Sequence, residues 1–583
     1  MRRSTSRQAV AVRQVVHLRG SSFPRWNQWK ELPRFLNPKE KQAASIALAV
    51  FFISSITLGV RTWLSHETLL PAIGGSYIEG AIGTPQYINP LYATGSDVDS
   101  DLARLLYSGL MRTDEHGALA PDLAESYIVS EDQKTYTFTL RNNALWHDGQ
   151  PVTSTDVLFT IEAIQNPEYH SPLAVSFAGA HVSAPDQATV IVSVDEPFSP
   201  LLGALTVGIL PQHLWADVIP QNAPLSTWNI KPIGSGPFMF SKLVKDPRGA
   251  LKSYTLVRND SFYRGTVYLD EFTMKFYGDI YELTEALRNK NIEGASVLSA
   301  QDAQSLADDG VIHLGAPRLS QFTAVFFNEK HSTIIANDDI RAALAQATDR
   351  TLVTQAATGN LGIPIMSPVL SGMPGHDAGM AVPPGNLEDA KALLDAASWK
   401  MTDGATLRAK DGATLSLSIT TLDSPDLLAA ATELQKQWSA LGASVQILTV
   451  NQSTLQNDVI KNHDYDVLLA GERYGIYPEL YPFWHSSQTT YPGLNLCNFA
   501  DRNVDAAIVA ARTSTDPQKA IEASQLFSAA FNETIPAIML YQPAYVYGVS
   551  PKLRNTDVVN VTNPSDRFAN IEGWYRKTKR ALW

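Results

Sequence analysis

Between Lys41 and Arg61 the chain carries an uncharged, apolar-rich run, Gln42 to Val60 (QAASIALAVFFISSITLGV). As a helix these 19 residues rise about 28 Å, close to the roughly 30 Å of a bilayer's hydrocarbon core. Beyond a short stretch ending in Gly74-Gly75, the pattern alternates between helical and strand periods. Ser100–Leu110 has apolar residues at helical spacing, and Thr135–Leu140 (TYTFTL) alternates with period two. Ser154–Gln165 predicts a helix capped by Ser154 or Thr155. Ala188–Val194 and Pro237–Phe240 predict strands, and Leu387–Ala397 and Pro425–Leu441 predict amphipathic helices. Val445–Val450 and Tyr465–Ala470 predict two further strands. The repeated Asp403-Gly404 and Asp411-Gly412 pairs suit hairpin turns. The reading is an α/β protein without a repeat architecture.

Charge changes the picture at the N-terminus. Residues 1–41 hold ten Lys/Arg against Glu31 and Glu40, a net of +8, so the whole-chain −12 conceals −20 on the remainder. A basic leader before an apolar span places the N-terminus in the cytoplasm and the main body outside. Two other readings of the run are a cleaved signal peptide and a buried core helix. The leader is long for a signal peptide, and the nearest small-x-small site, Ala72-Ile73-Gly74, lies a dozen residues past the run. A core helix seldom offers so long an uncharged stretch. The leader itself is a basic arm suited to anionic lipid, or a segment with no role of its own.

The acidic body argues against nucleic-acid binding. One cysteine, Cys497, leaves no intrachain disulfide and no Cys-x-x-Cys site. The twelve histidines are scattered, none nearer in sequence than His170 and His181, and no HExxH, G-x-S-x-G or Walker-type loop is present. Gly234-Ser235-Gly236-Pro237 leads into a strand and reads as a turn. No catalytic residue, metal site or cofactor is expected. The aromatic-dense segment Ile476–Trp484 (IYPELYPFW) suits either a ligand cleft or a rigid, proline-braced loop.

Several stretches together resemble the extracellular solute-binding proteins of ABC importers, in the family that binds di- and oligopeptides and nickel chelates. The longest is Leu119–Glu162, with Ala124-Glu125-Ser126, Arg141, His147-Asp148-Gly149 and Thr153 to Val157. Asn89-Pro90-Leu91, Leu210–Leu214 (LPQHL), Pro232–Phe238 (PIGSGPF), Val325–Asn328, Ile340–Arg350, Tyr465-Asp466-Val467 and Ile535–Tyr541 follow in family order. Most of these also suit turns and helix starts, so they read as markers of fold and not as ligand contacts.

The resemblance implies a two-lobed periplasmic-binding-protein-like fold, type II with an extra inserted domain, preceded by one transmembrane helix. The expected division is a basic cytoplasmic tail at 1–41, an anchor at 42–60 and a linker at 61–75. Lobe I would comprise 76–110, 229–320 and 541–575, with the inserted domain at 111–228 and lobe II at 321–540. It also implies a receptor and not an enzyme, one that captures an oligopeptide or similar small solute and delivers it to ABC permease subunits. The alternative is a non-peptide or metal-chelate receptor or sensor uncoupled from peptide uptake. The implied ligand-binding residues are Asn89, Leu91, Tyr92, Glu472, Arg473, Tyr474, Tyr477, Glu479 and Trp484. One departure stands out. Peptide-binding members carry an aspartate for the ligand's α-ammonium just before a Tyr-Pro or Tyr-Asn pair, where this chain has Gly475 or Ile476. Glu472 or Glu479 would have to replace it, with Arg473 as the partner of a ligand carboxylate.

Overall fold

The computed structural model describes Lys30 and residues 36–582, apart from 66, 198–199, 297, 371–372, 374, 378, 402–403, 476–478, 492 and 515. The chain divides into two compact units, Met1–Pro71 with Thr578–Trp583, and Ala72–Lys577. In the first, one helix runs Pro38–Ser65, and its stretch Pro38–Leu58 is long and apolar enough to cross a membrane. Ile46, Phe51, Ile53 and Leu58 on it are more than half exposed. A strand, Glu67–Ala72, then pairs with the C-terminal strand Lys577–Leu582.

The larger unit is organised on three principal sheets. A seven-stranded mixed sheet joins His313–Gly315, Tyr547–Val549, Gly294–Ser296, Ser76–Ile82, Glu271–Tyr277, Leu251–Arg258 and Phe238–Lys245, in that order. A six-stranded sheet joins Ile363–Pro364, Ala537–Gln542, Gln321–Phe327, Val467–Arg473, Ser416–Leu422 and Ser444–Val450. A four-stranded antiparallel sheet joins Ala124–Val129, Thr135–Leu140, Thr189–Val194 and Ala180–Asp186. The six-stranded sheet is covered on both faces, and its central strand Gln321–Phe327 is accordingly buried from Phe322 to Phe327. Phe322 and Phe326 pack with Trp484 and Phe531 on one side, while Val325 and Phe327 pack with Leu344, Leu434 and Trp438 on the other.

Most expected elements are present, and their ends show where tertiary hydrogen bonds compete with local pattern. The helix expected over Ser100–Leu110 runs Asp97–Leu106. After it, the backbone of 107–111 turns extended and bonds residues 205–209, as in Ile209 N to Ser108 O and Met111 N to Leu205 O. The helix Ser154–Gln165 is capped by Thr153, not by Ser154 or Thr155, in a capping box closed by Asp156. The strand expected over Tyr465–Ala470 starts at Val467 and continues to Arg473, because Glu472 and Arg473 pair with Phe322 and Gln321. Asp411 and Gly412 both hold positive φ between the paired strands Arg408–Lys410 and Ala413–Thr414, whereas Asp403 lies outside the described residues.

Several of the motifs behind the resemblance converge at one junction. The His147 ring accepts a hydrogen bond from Gly234 N at 3.0 Å through Nδ1, and its Nε2 faces Gly236 O at 3.1 Å. Burial lowers its pKa to about 4, so it stays neutral at physiological pH. A side chain at Gly234 would collide with the Leu106 carbonyl oxygen, 1.9 Å from an added Cβ. Asp148 Oδ2 meets His213 Nε2 at 2.8 Å, and Asp156 Oδ1 accepts from Gln212 N. These residues tie the four-stranded sheet's layer to the helix Asp97–Leu106 and the seven-stranded sheet.

Candidate functional site

One well-formed cavity has a volume of about 490 Å³. That lies within the roughly 300–1,000 Å³ typical of small-molecule clefts. Its wall is assembled from segments far apart in sequence. Pro90, Asp97, Arg104 and Tyr107 come from the first loop and helix of the seven-stranded-sheet region. Leu173, Phe177 and Thr206–Gly208 come from the segment around the four-stranded sheet, and Asn563–Asp566 and Phe568 from the C-terminal return. Arg473 and Gly475 come from the end of a central strand of the six-stranded sheet.

The charges lining the cavity differ in how far the fold engages them. Asp122 accepts from the Tyr263 hydroxyl at 2.6 Å and lies 3.2 Å from Arg264. Asp566 accepts from Thr113 Oγ1 at 2.6 Å and from the backbone N–H groups of Thr562 and Asn563. Arg104 donates to the Thr113 carbonyl and hydroxyl, with no carboxylate paired to it among the described residues. The side chains of Asp97 and Arg473, both exposed, have no hydrogen bond or ion pair among the described residues. The cavity therefore presents one uncommitted carboxylate and one uncommitted guanidinium, on segments more than 370 residues apart.

Of the nine residues expected at the site, the structure brings Arg473 to the cavity and places most others elsewhere. Asn89 is buried, donating to Asn229 Oδ1 and accepting from Leu91 N; its loop reaches the cavity through Pro90. Leu91 is fully buried in the core. Tyr92 donates its hydroxyl to the Tyr169 carbonyl at 2.9 Å. Tyr474 is buried and donates to the Pro368 carbonyl at 2.7 Å. Trp484 is a core residue stacked on Phe322 and Phe326. Glu479 faces Arg512 Nε at 3.2 Å, and Arg512 lies over the Tyr481 ring. Tyr477 lies outside the described residues. Asn89, Leu91, Tyr474 and Trp484 do not line this cavity: Leu91 and Trp484 are packed in the core, Asn89 is bonded to Asn229, and Tyr474 is held by the Pro368 carbonyl.

Strand alternation separates Glu472 from its neighbour. Glu472 shares a face with Leu468 and Ala470, toward the core that contains Tyr474, while Arg473 points the other way. Its carboxylate has no hydrogen bond or ion pair among the described residues, and burial raises its pKa to about 7. Asp97 and Arg104 went unrecognised in the sequence because they look like an ordinary first-turn acid and last-turn base of an amphipathic helix. Among the described residues no group of three or more His, Cys, Asp or Glu is placed to hold a metal ion.

Comparison with known proteins gives this geometry a context. Residues 118–493 match the family model described as bacterial extracellular solute-binding proteins, family 5 Middle. The chain is 26% identical over 562 residues to the oligopeptide-binding protein AppA of Bacillus subtilis, covering 92% of this chain and 99% of AppA. It is 28% identical over 497 residues to a putative ABC transporter peptide-binding protein of Brucella ovis, covering 83% of this chain and 90% of that one. The structure of Bacillus subtilis AppA in complex with a nonapeptide aligns with a TM-score of 0.64 at 25% identity, over 87% of this chain and all of that one. NikZ of Campylobacter jejuni, in complex with Ni(L-His), aligns with a TM-score of 0.66 at 24% identity, over 86% of this chain and 99% of that one.

Proposed function

Because the chain belongs to the bacterial extracellular solute-binding proteins of family 5, we propose that it is the extracytoplasmic receptor of an ABC importer. It captures a peptide or related small solute by lobe closure and delivers it to a membrane permease. Lobe I is assigned to 76–110, 229–320 and 541–575, the inserted domain to 111–228 and lobe II to 321–540. Closure of lobes about a few connecting residues is how such two-lobed receptors sequester ligand, and it needs no catalytic group. The observation that carries the reading is the 490 Å³ cavity walled by both sheet regions, with Asp97 on one side and Arg473 on the other.

A zwitterionic solute needs a partner at each end once water is excluded. Arg473 offers a planar fork to a carboxylate and Asp97 an acceptor to an ammonium. Gly475 lines the cavity near the position of the family's ammonium-binding aspartate, so the charge is supplied from the opposite wall. Relatives named for peptide binding favour a peptide. The likeness to NikZ with its nickel–histidine complex keeps a small chelate as the second reading. Mass spectrometry of the natively purified protein identifies the co-purified solute, and calorimetry with that solute tests the clamp. Arg473→Met and Asp97→Asn are each expected to weaken binding about tenfold or more, the scale of a charge-assisted hydrogen bond. Glu479→Gln and Glu472→Gln are expected to bind within threefold of wild type. Binding of Arg473→Met within threefold would remove this clamp and favour a ligand without a free carboxylate.

The receptor is held at the membrane by the uncleaved helix Pro38–Ser65, with the leader cytoplasmic and the body outside. Protease added to intact cells is expected to remove the body and leave a small N-terminal stub. A freely released body beginning near Gly75 would instead establish cleavage.

A further inference from the structure

The helix Pro38–Ser65 does not lead into a loose tether. It is followed within two residues by the strand Glu67–Ala72, whose partner is the far end of the chain, Lys577–Leu582. The helix extends seven residues past Leu58, the end of its apolar stretch. That adds only about 10 Å before the strand begins. Any membrane containing the apolar stretch therefore has this two-stranded sheet beside its headgroups.

The sheet's chemistry fits that position. Lys577, Lys579 and Arg580 are all exposed on the C-terminal strand, and no Asp or Glu follows Glu572. On the partner strand Leu69 is 63% exposed and Leu70 is also exposed. Cations beside exposed aliphatic side chains match an interface with phosphates outside and acyl chains beneath. The setting sharpens the contrast, since residues 42–583 carry a net −20. An anionic bilayer repels such a body except through a basic strip.

We propose that the paired strands Glu67–Ala72 and Lys577–Leu582 dock on anionic lipid headgroups at the outer face of the membrane, fixing both ends of the exported body at the bilayer surface. The inference rests on the reading of Pro38–Ser65 as a membrane anchor. Each basic residue near an anionic surface favours the docked state by roughly fivefold, so three give on the order of a hundredfold at low salt.

The test uses the full chain reconstituted in vesicles of phosphatidylcholine alone or mixed with phosphatidylglycerol. A fluorophore is placed by Thr578→Cys in a Cys497→Ser background, with a quencher on the lipid headgroups. Quenching is expected to be stronger in anionic vesicles, to fall with salt, and to fall in the Lys577→Gln/Lys579→Gln/Arg580→Gln variant. The Lys577→Arg/Lys579→Arg variant should retain it. A chain that floats with both kinds of vesicle yet quenches equally in both overturns the docking alone and points the strip toward a protein partner. A chain that floats with neither overturns the anchor and the docking together.

Discussion

Replacing Arg567 by methionine is expected to destabilise the larger unit by roughly 3–5 kcal/mol, the cost of leaving buried carboxylates without their counter-charge. Arg567 is 1% exposed and lies between Glu79 and Asp101, which are 0% and 3% exposed. Its Nη1 donates to Asp101 Oδ1 at 2.7 Å and to the Pro564 carbonyl, and its Nη2 donates to both Asp101 and Glu79. The hydroxyls of Tyr77 and Tyr547 converge on Glu79 Oε2. Room for the Tyr77 hydroxyl exists because residue 294 is glycine; an added Cβ would sit 1.8 Å from it.

Four segments meet on this guanidinium: strand Ser76–Ile82, helix Asp97–Leu106, strand Tyr547–Val549 and the return Pro564–Phe568, which lines the cavity. Burial raises the pKa of both carboxylates while Arg567 opposes the rise. With the arginine gone both are raised further and protonate more readily. The defect should therefore be smaller at pH 5 than at pH 8, where charging them costs most. Denaturant titration at the two pH values measures this. Exchanging the whole cluster for apolar residues (Glu79→Leu, Asp101→Leu, Arg567→Met) should cost less than Arg567→Met alone. A single variant within about 1 kcal/mol of wild type would mean that water or relaxed neighbours solvate the carboxylates.

The fold was more legible in the sequence than the site. Period-two and helical patterns located Thr135–Leu140 and Ser154–Gln165 at their observed limits, because each buries one face against a neighbour close in sequence. Side-chain direction at the cavity depends on strand length instead. A strand read as ending at Ala470 says nothing about residues 472 and 473. Once it runs to Arg473, alternation alone separates Glu472 from Arg473. Asn89 and Trp484 sit in stretches that resemble a ligand-binding family, but polar and aromatic residues near a cleft also build its walls. Only the hydrogen bond to Asn229 and the stacking on Phe322 assign them to the interior. Arg473 was reached only through the family resemblance and Asp97 not at all, since their place on one cavity is made by the path of the chain between them.

Glu472 supplies the second large effect, and its sign is opposite to that of most acidic groups. The phenols nearest it are committed elsewhere, Tyr474 to the Pro368 carbonyl and Tyr465 to the Leu496 carbonyl. With no donor to offset it, burial pushes the carboxyl in the folded protein up to about 7, from an ordinary 4.5. Below pH 4.5 it is protonated in both states and contributes no pH dependence. As pH rises toward 7 the unfolded chain loses this proton first, so the folded state loses stability throughout that window. Above pH 7 the accumulated loss is at most roughly 3 kcal/mol, trimmed by the solvent that reaches the partly exposed side chain. Glu472→Gln keeps the shape and removes the charge. It should match wild type near pH 4.5 and exceed it by about 1–3 kcal/mol at pH 8. Denaturant midpoints across that range decide the matter. Parallel pH profiles for wild type and variant would show that the carboxylate is solvated or paired when ionised, and an ionised Glu472 would then become available to a cationic solute.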